Sequence, residues 1–265
     1  MMNYAAYEAL KIEKNGSILT LTIDRPEVKN AVNPQLHDEF SRIFYDIDRD
    51  PEVSVVVLTG AGDAFSAGGD IDWLVSLQGD AIATSASIEN DRRIQNSLLD
   101  LEKPIIARVV GPAVGLGCSL ALFCDFVYAT PDARFADPHV SVALVAGDGG
   151  AVIWPQLIGY ARARKYLLTG DPIFGAEAAE IGLITEAVPV EEIDEAVAAM
   201  ADRLANGATH AIKWTKASIN AGLKVTANAV IDRAAGYENL TMLMEDHKIA
   251  VDAFKNRSKP VFVGR

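Results

Sequence analysis

The chain has little cysteine, a shortage of positive charge and no long apolar run, and each shortage excludes something. Cys118 and Cys124 are the only cysteines among 265 residues, and they sit close together in an apolar segment. With no further cysteine nearby to complete a metal site, they read as buried thiols rather than a redox pair. Lys and Arg number 24 against 36 Asp and Glu, a net charge of −12. That balance argues against nucleic acid or an anionic membrane as a general partner. The longest apolar stretch, Ala113 to Cys124, is too short and too interrupted by glycine to span a bilayer. Met1 to Asn15 is polar and of mixed charge, without the apolar stretch of a signal peptide, so the cytoplasm is the expected compartment. There is no Walker A pattern and no G-x-S-x-G elbow. Gly60-Ala61-Gly62 begins a dinucleotide fingerprint, but Phe65 stands where its third glycine belongs.

What is present is a chain half hydrophobic, with material for a sizeable core. Ile18 to Ile23 alternates and is rich in β-branched residues, which predicts a strand. Asn33-Pro34 has the N-cap and first-turn chemistry of a helix start. Leu36, Phe40, Ile43, Phe44 and Ile47 follow at helical spacing. Val53–Leu58, Ile105–Val110 and Phe126–Ala129 are short apolar runs of the kind buried on both faces of a sheet. Helical patterns cover Ile88–Leu101, Gly117–Phe123, Ile153–Gly159 and Arg162–Thr169, the last closed by Gly170. Such alternation predicts an α/β architecture with right-handed crossovers. Beyond Pro189 the pattern turns almost wholly helical, with Gly207 and Gly222 as expected breaks and an amphipathic stretch from Thr226 to Phe254. Two regions follow: 1–189, carrying the strands, and 190–265, a helical region suited to packing on another subunit.

Two glycine-rich segments follow strands, Leu58–Ile71 and Val110–Ala121. Glycines between a strand end and a helix start leave backbone N–H groups without partners. Two such groups from different loops can converge on one oxygen as an oxyanion hole, which suits any reaction that builds negative charge on a carbonyl oxygen.

Arg25-Pro-Glu-Val-Lys-Asn-Ala31, Phe65-Ser-Ala-Gly-Gly-Asp-Ile71 and Gly111-Pro-Ala-Val-Gly-Leu-Gly-Cys-Ser-Leu-Ala121 resemble the three N-terminal signatures of the crotonase (enoyl-CoA hydratase/isomerase) superfamily. Ala176–Ile184 and the closing Ala253–Arg265 are similar to later segments of that family, so the resemblance covers nearly the whole chain. It implies a crotonase-like spiral of ββα units followed by a helical trimerisation region, assembled as a homotrimer or homohexamer. It implies an acyl group carried as a CoA thioester, with no metal and no separate cofactor. The oxyanion-hole N–H groups would belong to Gly69 and Leu116. Val28, Ala31, Ala67, Gly68, Asp70 and Ile71 would line the CoA path. Lys255, Arg257 and Lys259 lie where the family holds CoA phosphates, although in any chain a basic tail can simply be solubilising charge.

The resemblance breaks at two positions. Family hydratases carry two glutamates that share one water, and here Ser119 and His139 stand in their places. His139, with Asp148 nine residues later, forms a candidate dyad: a base of near-neutral pKa whose activity would fall as acid protonates it, oriented by a carboxylate. The segment from His139 to Gly170 is similar to that of 6-oxocamphor hydrolase, a crotonase-fold enzyme that cleaves a carbon–carbon bond of a β-diketone. That resemblance carries Glu238 into the candidate site as well. Glu238 could equally be a solvated helix residue, with Tyr237 as another donor. Ser119 could contact water or substrate, or act as a nucleophile if His139 lies within hydrogen-bond reach. Three functions are therefore open: hydration or isomerisation of an enoyl-CoA, hydrolysis of a β-keto C–C bond, and CoA binding without catalysis.

Overall fold

The computed structural model describes residue 2 and residues 4–265. Strands β1 (Leu10–Asn15) and β2 (Ile18–Ile23) form a hairpin. In β2 the branched alternation buries Leu19, Leu21 and Ile23. Helix α1 (Pro34–Arg49) starts as the sequence predicts: the Asn33 side chain accepts the Leu36 N–H at 2.9 Å, and Pro34 fills the first turn. Its stripe of Leu36, Phe40, Ile43, Phe44 and Ile47 is fully buried.

The next elements are β3 (Val55–Gly60), α2 (Ile71–Leu77), α3 (Ala81–Asp100), β4 (Ile105–Val109), β5 (Pro112–Val114), α4 (Leu116–Leu122), β6 (Phe126–Ala129) and β7 (Arg134–Ala136). After them come α5 (Gly150–Thr169), β8 (Ile173–Phe174), α6 (Gly175–Glu180) and β9 (Glu186–Ala187). The large sheet has the order β1-β2-β3-β4-β6-β9 and the small one β5-β7-β8. Successive passages β4-β5-α4 and β6-β7-α5 lay their first strands side by side in the large sheet (Ile106↔Phe126) and their second strands side by side in the small one (Pro112↔Arg134). Both pairings are parallel, so each passage advances the chain by one winding, the ββα spiral that the resemblance implies.

Three helices complete the chain: α7 (Ile193–Ala205), α8 (Thr209–Met242) and α9 (Glu245–Lys255). Ile193, Val197 and Ala201 of α7 cover Val55, Val57 and Ile106. That covering explains why β3 and β4 read as continuous apolar runs. Three expectations are corrected. Gly222 lies inside α8 rather than breaking it, because the helix is held from both sides of that residue: Lys216 reaches Asp125 at 2.7 Å, and Ala227 and Ile231 are buried in the core. The segment 226–254 is not one helix, since it breaks at Leu243–Met244 between α8 and α9. Helix α3 also starts seven residues before the predicted Ile88, capped by Asp80, which accepts the N–H groups of Ile82 and Ala83 at 3.0 Å each. Among the described residues no helix is long and apolar enough to cross a membrane.

Candidate active site

Three loops are fastened to one another before any chemistry is possible. Asn30 is fully buried and donates to the carbonyls of Ala61 and Ala64 at 2.8 and 2.7 Å while accepting the Arg25 N–H at 2.9 Å. Ser66 Oγ donates to the Asn30 carbonyl at 2.8 Å, and Arg25 donates to the Ala31 carbonyl and pairs with Asp70 at 3.6 Å. Val32 forms a parallel bridge to Gly69 and Ser66 one to Ala113. The first bridge uses the Gly68 carbonyl and the Asp70 N–H, 2.8 and 2.9 Å from Val32. In an extended segment alternate residues point opposite ways, so the Gly69 N–H faces away from Val32. Opposite it, Gly115 adopts φ 52°, ψ −125° and spends its own N–H on the Ala136 carbonyl at 2.9 Å. Leu116 then opens α4, its N–H among the first-turn donors that have no partner within the helix. A β-carbon on Gly68 would stand 2.8 Å from the Val114 carbonyl, so the two loops approach this closely only without side chains.

Gly69 and Leu116 line one cavity of about 470 Å³, together with Val28, Ala31, Ala67, Gly68, Asp70 and Ile71. The adjacent parallel strands β5 and β7 both end at this cavity. One delivers Gly115–Leu116 and the other delivers Asp137 and His139, the usual place for a ligand at the carboxyl ends of parallel strands.

His139 opens a short 3-10 turn, and each of its ring nitrogens meets a carboxyl. Nδ1 bonds to Asp137 Oδ1. Nε2 lies 3.3 Å from Asp148 Oδ2 and 3.8 Å from Glu238 Oε1. Asp148 precedes α5, and its other oxygen accepts from Ser119 Oγ at 3.0 Å. Asp137, Asp148, Ser119 and Glu238 are all buried. The loop around Asp148 makes room for them: a β-carbon on Gly147 would stand 2.2 Å from Glu238 Oε2, and one on Gly150 1.7 Å from Asp137 Oδ2.

The charges follow from this packing. Burial opposes a charge on His139, but Asp148 and Asp137 outweigh it and hold the imidazole well above its ordinary range, as imidazolium. Burial would raise Asp148, yet His139, Ser119 and the Gly150 N–H hold it below the usual carboxylate range. Glu238 is pushed well above its ordinary value by burial and then by Asp91, Asp148 and Asp137, with His139 only partly opposing, which favours its protonated form. The packing thus favours a cation at His139, an anion at Asp148 and a neutral acid at Glu238. Asp137, His139 and Asp148 also bring three potential metal-ligand atoms within 4.8 Å of one another.

Residues 13–265 match the family model described as enoyl-CoA hydratase/isomerase. The chain belongs to the enoyl-CoA hydratase/isomerase family. It is 31% identical over 261 residues to a crotonyl-CoA hydratase of Syntrophomonas wolfei, covering 98% of this chain and 100% of the relative. It is 33% identical over 253 residues to a short-chain-enoyl-CoA hydratase of Clostridium acetobutylicum, covering 94% and 95%. The crystal structure of an enoyl-CoA hydratase/isomerase from Mycobacterium paratuberculosis superposes with a TM-score of 0.89 at 36% identity, over 92% of this chain and 97% of that one. The crotonase fold is therefore established, and this family member is an enzyme of the hydratase/isomerase kind.

Within this enoyl-CoA hydratase/isomerase family member, sequence and structure differ in detail. His139 and Asp148 are brought together, with Glu238 beside them. The carboxyl on Nδ1, where an orienting group acts, is however Asp137, whose one signal in the sequence is its position two residues before the histidine at a strand end. His139 is not the near-neutral base expected of it, since two carboxyls hold its proton. Ser119 does not face the cavity but bonds to Asp148 from behind, so the order is Ser–Asp–His rather than nucleophile–base–orienter. Lys255, at the end of α9, pairs with Asp72 of α2 at 3.5 Å and, like the exposed Lys259, does not line the cavity. Arg257 is exposed too.

Proposed function

We propose that the protein is an acyl-CoA enzyme of the hydratase type, whose thioester oxygen is held between the Gly69 and Leu116 N–H groups while His139 relays a proton between Asp148 and Glu238. One observation carries this reading: His139 Nε2 stands 3.3 Å from Asp148 and 3.8 Å from Glu238, in the wall of the cavity that Gly69 and Leu116 also line. An enoyl thioester bound there meets a base and an acid already in opposite protonation states, as general catalysis requires.

The steps balance. Asp148 takes a proton from water as the water oxygen bonds to the β-carbon, and the double-bond electrons move into an enolate whose oxygen the two N–H groups hold. Glu238 gives its proton to the α-carbon. The imidazolium passes its Nε2 proton to Glu238 and recovers one from Asp148, so His139, Asp148 and Glu238 return to their starting states. Val28, Ala31, Ala67, Gly68, Asp70 and Ile71 offer the CoA path up to the reacting carbon, with Lys255, paired to Asp72 of the lining, and the exposed Lys259 as the cations for phosphate. The exposed apolar residues of α8, Trp214 and Val225 among them, support assembly into a homotrimer or homohexamer.

A second reading shares the same hole. The loss of both hydratase glutamates, at Ser119 and His139, favours hydrolysis of a β-dicarbonyl. Water activated by Asp148 adds to the β-carbonyl carbon, the C–C bond breaks, and the departing enolate is held by Gly69 and Leu116 and protonated by Glu238. Product masses over a panel of enoyl- and 3-oxoacyl-CoAs separate the two. A gain of one water without fragmentation is the expected result, fragments summing to substrate plus water mean C–C hydrolysis, and no turnover of any thioester removes both.

A further inference from the structure

The cavity has a wall that takes no direct part in the proton steps, although Asp91 in it helps to keep the proton on Glu238. His37 lies on the buried face of α1, 2% exposed, yet lines the cavity. Its Nε2 stands 2.7 Å from Oδ1 of Asp91 on α3, which is also buried and also in the wall. Trp73 of α2 packs against the ring, the two centroids 4.8 Å apart. Leu144 and Met242, with Leu74 and Val142 packed on them, add apolar lining to the same cavity. The space for an acyl chain is therefore apolar with one imidazole–carboxyl pair set into it.

A buried imidazole–carboxyl pair costs free energy unless its polar atoms are satisfied. Helices α1 and α3 do not need it to pack, since Phe40, Phe44, Ile94 and Leu98 already share one core. Among the described residues the His37 ring makes this one hydrogen bond, which leaves Nδ1 for a ligand. A plain alkyl chain against that nitrogen would strip its water and return nothing. A hydroxyl on the chain replaces the lost hydrogen bond as donor or acceptor, and an oxo oxygen replaces it where Nδ1 carries the proton.

We propose that His37, held by Asp91, is a specificity residue that hydrogen-bonds an oxygen carried on the acyl chain beyond the thioester carbonyl, so that the site selects oxo- or hydroxyacyl-CoAs over their plain alkyl counterparts. The proposal rests on the acyl-CoA reading above. His37 touches the ligand, and Asp91 is a positioning residue acting through it.

Calorimetry with hexanoyl-CoA and its 3-oxo, 5-oxo and 6-hydroxy derivatives tests this at equilibrium, without turnover. The protein should bind at least one oxygenated ligand about 10-fold more tightly than hexanoyl-CoA, the order of one net hydrogen bond. His37→Phe should erase that ratio while leaving hexanoyl-CoA affinity unchanged or higher. Asp91→Asn should reduce the ratio in part, and His37→Gln, which keeps a polar group, should retain more of it than His37→Phe. Thermal melting of each variant checks the fold, so that a ratio lost in a variant that melts like the wild type reports the contact itself. Should His37→Phe not fold, the Gln and Asn variants carry the test. Equal binding of the four ligands, or a ratio untouched by these substitutions, overturns the proposal while leaving the acyl-CoA reading standing. Failure of all four to bind overturns that reading and the proposal with it.

Discussion

At the scale of single residues the site is a matter of who holds which proton. His139→Ala removes the relay between Asp148 and Glu238 and should lower kcat by about 10²–10⁴-fold, the usual range for a positioned acid–base group, with CoA affinity nearly unchanged in calorimetry. The pH profile has a definite sign. His139 and Glu238 are held above their ordinary values and Asp148 below its own, so kcat should be flat through neutrality. It should fall at high pH as His139 and Glu238 lose protons, and at low pH as Asp148 gains one. The stability contributed by His139 runs the same way: it is complete below about pH 6.5 and is lost as the pH rises through the raised value. A rate that instead fell on mild acidification, with the midpoint of an ordinary imidazole, would return His139 to the role of neutral base. The sequence made His139, Asp148 and Glu238 candidates because their identities stand out against a known pattern. It could not give their protonation, which depends on the buried carboxyls of Asp137 and Asp91, brought in from 2 and 48 positions away along the chain from His139.

At the scale of elements, caps and staples place the loops. Asn33→Ala removes the N-cap of α1 and should cost about 1 kcal/mol in urea unfolding. Asn30→Ala strands the Ala61 and Ala64 carbonyls and the Arg25 N–H, and should cost more, roughly 2–4 kcal/mol. Only the second should also depress kcat, since Asn30 fixes the loop that leads to Gly69. Equal losses of stability and no change in rate would separate the staple from the oxyanion hole. Elements whose signal is local were legible: the cap at Asn33-Pro34, the stripe on α1, and the apolar runs of β3, β4 and β6. The short strands β5, β7, β8 and β9 were not, being two or three residues long and defined by what lies beside them. The first seven residues of α3 were missed for a related reason, as Ala81–Ser87 carries little apolar periodicity and is started by the Asp80 cap.

At the scale of the whole molecule, α8 is the unfinished surface. Trp214 is 59% exposed and Val225 72%, about three turns apart on nearly the same face. Apolar residues so placed fit an assembly contact better than water. Sedimentation at micromolar concentration should give a trimer or a multiple of it, and Trp214→Asp with Val225→Asp should shift it toward the monomer. Because Glu238 rides on the same helix, the smaller species should also be less active. A wild-type chain that sediments as a monomer would leave α8 with a positioning task only.

The crowding around Asp148 has an implication for ancestry. Ser119 is 1% exposed and bonded to Asp148, and a β-carbon on Gly149 would stand 3.1 Å from the Ser119 β-carbon. A glutamate at position 119, where the sequence resemblance implies the first glutamate of a hydratase, would need the space Asp148 fills, and without Asp148 the His139 ring loses a partner. The two outfits are rival tenants of one room. A lineage moving from one to the other crosses a valley in which neither works, because residues this tightly coupled do not change value independently. Descent within the superfamily should therefore show exchanges of whole sets at these positions, and intermediates carrying half of each should be poor catalysts of either reaction.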